Sequence, residues 1–275
     1  MALSDKLGHR STYINPDIEF LCSFSPGIIR EYDMRSAGLS VIKQYGLLSH
    51  DDILKLDAMP KLERNIYIGN VRRVDKQFSE DLKHGVRESV YHFLEDNGYE
   101  DDNILSINND AVTVMEERSF NPTLEYGEVK FRKEQDFTGY LRLDHFLIFI
   151  HAGNTDLTIK GVNDMAREAF KEGFGKILLQ WFKRLDRGER PIYLLKELQK
   201  YKDTLCDLTA PMSCYVSLKT GAVPLVDMSL SSATLGYDYK SFPPAFKENI
   251  DIRQAIVETV VPLSRILRTH NSGVN

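Results

Sequence analysis

The sequence is poor in cysteine and has no long apolar run. Its cysteines, Cys22, Cys206 and Cys214, are an odd number without C-x-x-C spacing, which argues against a disulfide framework or a zinc ribbon. The apolar stretches at 146–150 and 256–261 are far shorter than the roughly 20 residues that cross a bilayer. The N-terminal residues also lack the apolar core of a secretory signal. We therefore expect a cytoplasmic protein with reduced thiols and no membrane association.

An excess of positive charge is also missing. Lys and Arg number 35 against 40 Asp and Glu, a net charge of −5. A protein that grips nucleic acid unaided usually carries a basic surface, because it must neutralise phosphates. A nucleic-acid substrate would therefore require a local basic groove or a protein partner that supplies basic surface.

What is present is the composition of a folded globular chain. Hydrophobic residues make up 42% of the 275 residues and charged residues 27%, close to ordinary usage. This length is enough for a sizeable core, formed either by one large domain or by a core with a smaller helical part.

The first half of the chain alternates strand and helix patterns. The segment "IIREYD" is typical of a short buried strand ending at Asp33. Apolar positions at helical spacing then predict a helix over 37–45, which Gly46 ends. An i, i+4, i+8 apolar stripe predicts a helix over 75–97. Two apolar arms around a polar tip predict a β-hairpin in "ILSINNDAVTVM".

The pattern changes near residue 162. A second β region continues to about residue 160, and amphipathic helical segments follow from Asn163, with a last helix over 251–268 and a short hairpin near 218–228. We therefore predict an α+β fold with an antiparallel sheet and packed helices, divided into residues 1–162 and a helix-rich part, 163–275.

Two aspartates carry the chemical hypothesis. Asp33 follows a strand, and Asp110 lies in a predicted hairpin turn 77 residues later. If the strands are neighbours, both carboxylates converge on Mg²⁺, which prefers oxygen ligands and supports in-line phosphoryl transfer. Aspartates are also common as plain turn and capping residues. On the spacing alone, turn or capping aspartates are the more common interpretation of this pair.

Three short segments resemble motifs of template-dependent nucleic-acid polymerases. "DMRSAGLSVI" resembles the first palm motif, a strand-end Asp followed by a small-residue turn and a helix, written D-F-x-S-L-Y-P-S-I in family-B DNA polymerases and D-I-K-x-A-F in reverse transcriptases. "KLERNIYIG" is similar to the family-B finger motif K-x-x-x-N-S-x-Y-G at Lys61 and Asn65. "SINNDAVTV" resembles the palm hairpin Y-x-D-T-D-S-V, with Asp110 on its second acidic position. The segments occur in the same order as in those polymerases.

The sequence departs from these motifs at three places. Asn108 stands where family B has the first hairpin Asp, which removes one negative ligand. Gly38 stands where an aromatic residue usually lies under the sugar. Tyr67 is one place early relative to the finger motif.

The resemblance implies a palm-like antiparallel sheet that catalyses metal-dependent nucleotidyl transfer. Asp33 and Asp110 would be the catalytic residues and would bind Mg²⁺ or Mn²⁺, with Asn108 beside them. A nucleoside triphosphate and nucleic acid would be the substrates. The helices after residue 163 would form a thumb, or simply a covering layer over a sheet. The residues expected to bind substrate are Lys61, Arg64, Asn65, Arg72 and Arg73. For Arg72 and Arg73, a solvated cationic turn is the more common explanation.

A second hypothesis belongs to a different class of protein. The net acidity and Asn108 favour a non-catalytic binding or assembly protein, such as a degenerate polymerase-like subunit. The relative positions of the Asp33 and Asp110 carboxylates discriminate between the two hypotheses, since only the enzyme requires them to share an ion.

Overall fold

The computed structural model describes residues 2–22, 27–144, 146–221 and 252–272, and the chain divides into two compact units. The first unit spans Met1–Asp17 and Ser25–Asp136, and the second spans Ile18–Phe24 and Phe137–Asn275. The predicted division near residue 162 does not coincide with this one. That prediction followed the change from strand to helix patterns, whereas the observed division falls within one long strand.

The first unit combines a sheet with helices that follow its first long strand. Its elements are α1 (Leu3–Lys6), β1 (Thr12–Ile14), β3 (Gly27–Met34), α2 (Ala37–Tyr45), α3 (His50–Ala58), α4 (Lys61–Val74), α5 (Lys76–Asp96), β4 (Ile104–Asn108), β5 (Ala111–Glu117), β6 (Glu125–Tyr126) and the first half of β7 (Val129–Leu143).

The strand order in this unit is β1-β4-β5-β3-β7. Strand β5 pairs antiparallel with β3 on one side and with β4 on the other, so β3 and β4 run parallel with β5 between them. This is a split β-α-β arrangement, in which α2–α5 make the crossover. It places the C-terminal end of β3 beside the β4–β5 turn.

One face of this sheet packs against the helices. Tyr32, Met34 and Val112 belong to a buried cluster with residues of α2 and α5, and the Tyr32 ring lies 5.3 Å from that of Phe93. Residues alternate between the two faces of a strand. Asp33, between Tyr32 and Met34, therefore faces away from the helices.

A buried ionic network joins neighbouring strands of the first unit. The Glu116 side chain, 3% exposed, accepts hydrogen bonds from Arg30, Tyr32 and Tyr99. Arg30 also pairs with Asp136 at 3.1 Å. A buried charge is tolerated only when it is paired and hydrogen-bonded, so these contacts fix β3 against β5 and the first half of β7.

The second unit is a small antiparallel sheet with a helix-rich remainder. Strand β7 pairs with β2 (Phe20–Cys22) and β8 (Phe146–His151), and β8 pairs with β9 (Leu157–Lys160). Its core contains Trp181, Phe182 and many aliphatic side chains. Its elements are β2 (Phe20–Cys22), the second half of β7, β8 (Phe146–His151), β9 (Leu157–Lys160), α6 (Asp164–Phe170), a π-helical segment (Lys171–Gly175), α7 (Lys176–Asp186), α8 (Leu194–Cys206), short 3₁₀ turns (Pro191–Tyr193 and Met212–Tyr215), and the C-terminal helical segments Arg253–Ala255, Ile256–Val260 and Val261–Ser272.

The α+β class, with an antiparallel sheet and packed helices, is confirmed, as is the helix-rich C-terminal part. Residues 222–228 of the hairpin predicted near 218–228 lie outside the described residues. Among the helices in the described ranges, none combines the length and apolarity needed to cross a bilayer.

Candidate metal centre and adjoining cleft

Asp33, near the end of β3, and Asp110, just before β5, have neighbouring backbones in the first unit's sheet. Asp33 lies opposite Ala111 in the β3–β5 register, and the backbone N–H of Met34 donates to the carbonyl oxygen of Asp110 at 3.0 Å. The turn that carries Asp110 is tight because Asn109 adopts a left-handed conformation, with φ of 55°, which Asn tolerates well. The folded chain thus brings together the two aspartates predicted from the sequence.

The electrostatic environment of Asp33 agrees with this proximity. Partial burial raises the pKa of Asp33, and the negative charges of Asp110 and Glu134 raise it further. The Arg132 guanidinium acts in the opposite direction and lies 3.4 Å from Asp33 Oδ2. Arg132 also pairs with Glu134. The centre is therefore a set of acidic groups that one arginine neutralises in part.

Asn108 is less well placed than Asp110. It lies opposite Ala111 in the β4–β5 register, so Asn108, Ala111 and Asp33 form a row across three strands on one sheet face. Two strand spacings separate the backbones of Asn108 and Asp33 by about 10 Å. The Asn108 side-chain oxygen accepts a hydrogen bond from the Asn109 amide at 3.3 Å.

The predicted phosphate-contacting residues lie on α4, and only some of them face the centre. Asn65 and Arg72 line a cleft that also contains Asp110. Arg64 donates a hydrogen bond at 3.4 Å to the hydroxyl of Ser36, a residue three positions after Asp33. Lys61 is exposed in the first turn of α4. Arg73 is exposed and points about 100° around the helix from Arg72.

The cleft has a volume of about 760 Å³ and lies between α2, α4, α5 and the β4–β5 turn. Three of the α5 side chains that line it, Lys83, His84 and Arg87, were not predicted from the sequence, because the helical stripe marks them only as polar positions between apolar ones. The position of Arg132 next to Asp33 was also not predicted, since it depends on β7 lying beside β3. The lining residues are Ser11, Ala37, Gly38, Asn65, Ile68, Gly69, Arg72, Glu80, Leu82, Lys83, His84, Val86, Arg87, Asn109 and Asp110.

The carboxylates of Asp33 and Asp110 are oxygen ligands of the kind that Mg²⁺ and Mn²⁺ prefer. Two carboxylates lie close enough for one to raise the pKa of the other, and a divalent cation would relieve this repulsion. Mg²⁺ usually takes one or two protein carboxylates and completes its shell with water and substrate phosphates, so two aspartates suffice. In the described ranges, Glu100, Asp101 and Asp102 also cluster in a surface turn.

Comparison with known proteins places the chain in one family. The family model described as "Bacteriophage PBS1 gene 130 protein" matches residues 2–237, so the chain belongs to this phage protein family. No curated protein matches the sequence. The family description names a gene and no activity.

Proposed function

We propose that this protein is a metal-dependent nucleotidyltransferase with a minimal polymerase-like palm. The observation that carries the proposal is the juxtaposition of Asp33 and Asp110 where β3 ends and β5 begins. The β3–β5 register and the Met34–Asp110 backbone hydrogen bond hold them there. Distant parts of the sequence supply these carboxylates, and the split β-α-β crossover brings them together. The three palm-like motifs agree with this arrangement.

The chemistry follows from the charges of the centre. Asp33 and Asp110 would hold Mg²⁺ or Mn²⁺, which supplies positive charge to the phosphoryl group undergoing in-line displacement. The protein's own part is positioning, with Asp33 and Asp110 fixed on hydrogen-bonded strands. No side chain needs to form a covalent intermediate.

The substrates of this reaction would be a nucleoside triphosphate and a nucleic-acid end. Arg72 and Asn65 share the cleft with Asp110, which supports a position for the triphosphate on this side of the centre. A nucleic-acid partner must meet a chain of net charge −5, so the proposal also includes a protein partner that contributes basic surface.

The test is incorporation of labelled ribo- and deoxyribonucleoside triphosphates on primed and unprimed DNA and RNA, with Mg²⁺ or Mn²⁺. The variants are Asp33→Asn and Asp110→Asn, which remove a charge with little change in shape. Asp102→Asn, in the other carboxylate cluster of the unit, is the matched control. We expect incorporation to fall at least about 100-fold in both site variants, a scale typical for loss of a charge-stabilising group, and to persist in the control.

Two outcomes would contradict the proposal. One is wild-type incorporation that survives both site substitutions. The other is no incorporation by the wild type on any template, together with no change in thermal stability on addition of Mg²⁺ or Mn²⁺.

A non-catalytic binding or assembly protein is the second candidate function. It is favoured by Arg132, which already lies 3.4 Å from Asp33 Oδ2 and so occupies the side where a cation would bind. The neutral Asn108 at the outer strand favours it too. The second outcome above is the result that this candidate predicts.

A further inference from the structure

We infer that the cleft between α4, α5 and the β4–β5 turn is a binding site for the phosphates of a mononucleotide, with Arg72 and Arg87 as its anion-binding side chains. This inference rests on the proposed function only for its choice of a triphosphate as ligand. The cleft lies within the first unit and includes Asp110 in its lining. A ligand held there would lie beside Asp110.

The charges in the cleft leave two arginines for a ligand. Lys83 pairs with Glu80 at 2.7 Å, so these opposite charges offset each other. Arg72 forms no ion pair or hydrogen bond with the residues that the structure describes. Its exposed guanidinium therefore remains available to a phosphate.

Arg87 offers a donor that is already removed from water. Its Nε is buried without a hydrogen-bond acceptor in the described part of the chain, and one terminal nitrogen lies 3.2 Å from His84 Nδ1. Buried donors are nearly always paired in folded proteins, so an unpaired one beside a cleft points to an acceptor supplied from outside. The planar guanidinium fork suits phosphate oxygens, which it can bind with two parallel hydrogen bonds.

The volume of the cleft and its apolar lining indicate which kind of phosphate compound it would bind. A volume of about 760 Å³ is within the range of roughly 300–1,000 Å³ for small-molecule sites. Ile68, Leu82 and Val86 give the cleft an apolar wall, against which a base could pack. Gly69 keeps the α4 side open, since a Cβ there would have nothing within 4 Å. These features favour a mononucleotide over an extended strand.

The test is calorimetric titration of the full chain, in metal-free buffer, with inorganic triphosphate, each ribonucleoside triphosphate and a 12-residue single-stranded oligonucleotide. Arg72→Gln and Arg87→Gln remove the two cations, and Arg87→Lys keeps the charge but loses the Nε donor. Arg73→Gln is the matched control, because Arg73 is the neighbouring arginine and does not line the cleft. A thermal melt of each variant verifies folding.

We expect the two Gln variants to weaken nucleoside triphosphate binding at least about tenfold, the scale of one charge-assisted hydrogen bond. Arg87→Lys should fall between wild type and Arg87→Gln, and Arg73→Gln should bind as the wild type does. Equal affinity in folded wild type and Gln variants would overturn the inference. So would the absence of nucleotide binding, or substitutions that weaken only oligonucleotide binding.

These results separate the two proposals. Arginine-dependent triphosphate binding without incorporation would contradict the nucleotidyltransferase and leave the cleft site standing. Metal-dependent incorporation with nucleotide affinity unaffected by Arg72→Gln and Arg87→Gln would contradict the cleft site alone.

Discussion

At the residue scale, the ionised Asp33 side chain destabilises the folded protein. Its carboxyl group is partly buried beside Asp110 and Glu134, and its pKa is raised above the ordinary value despite the Arg132 guanidinium. A raised carboxyl pKa means that the ionised group is less favourable in the folded state than in the unfolded state. A cation-binding role would offset this cost.

This cost predicts a stability change in Asp33→Asn. At neutral pH without divalent metal, we expect the variant to be more stable than the wild type, with a melting midpoint higher by about 2 °C. Because the pKa of Asp33 is raised in the folded state, the ionised carboxylate destabilises the folded protein at pH values above that raised pKa. It disappears as the pH falls below the ordinary aspartate value.

Thermal melts between neutral pH and the acid range measure this difference. Asp102→Asn serves as the comparison, since Asp102 lies in a surface turn away from the centre. A destabilised Asp33→Asn, or a stability gain that does not depend on pH, would show that the repulsion described here is absent.

Single residues differed in how far the sequence could place them. Asp33 and Asp110 were predictable because a strand end and a hairpin turn are local patterns. The positions of Arg132 beside Asp33 and of Arg87 in the cleft were not predictable, since they depend on which strands and helices become neighbours. The left-handed backbone at Ser36, with φ of 48°, was also not predictable, because non-glycine residues there are uncommon.

At the scale of elements, close contact between α2 and α5 positions the crossover that precedes β4. Gly85 on α5 makes this contact possible, because a Cβ at that position would lie 2.5 Å from Val41 Cγ1 and 3.1 Å from the Tyr45 ring. The helix thus keeps a residue of low helical propensity for a packing reason.

Two glycine substitutions test this contact with opposite expected signs. Gly85→Ala should destabilise the protein by about 1–3 kcal/mol, since overpacking outweighs the gain in helix propensity. Gly69→Ala on α4, with open space around the added Cβ, should stabilise it by up to about 1 kcal/mol. Chemical denaturation measures both. A stabilising Gly85→Ala would refute the tight α2–α5 contact.

The elements also show which sequence signals were strong. The stripe over 75–97 predicted α5 well because its apolar positions recur at helical spacing, and Asp75 caps it by accepting from the Phe78 N–H at 2.9 Å. Helix α4 was not predicted as a helix. It buries Ile68 while Leu62 and Ile66 stay largely exposed, so it lacks the amphipathic pattern that identifies most helices.

At the scale of the whole molecule, the proposed function depends on strand pairing, because β3 and β5 bring Asp33 and Asp110 together from separate parts of the sequence. The α+β class followed from the order of element patterns. The division between Asp136 and Phe137 was not predictable from these patterns, because it falls inside one strand, β7, from Val129 to Leu143. The phage family description names no activity, so the proposed function depends on the juxtaposition of Asp33 and Asp110.

The shared metal site is tested by Mn²⁺ binding, measured by electron paramagnetic resonance on the purified chain. The wild type and Asp102→Asn should bind Mn²⁺, and Asp33→Asn and Asp110→Asn should each weaken binding at least about tenfold, because each removes one of two carboxylate ligands. Mn²⁺ binding that is unchanged in both site variants, or that is lost only in Asp102→Asn, would contradict a shared metal at Asp33 and Asp110.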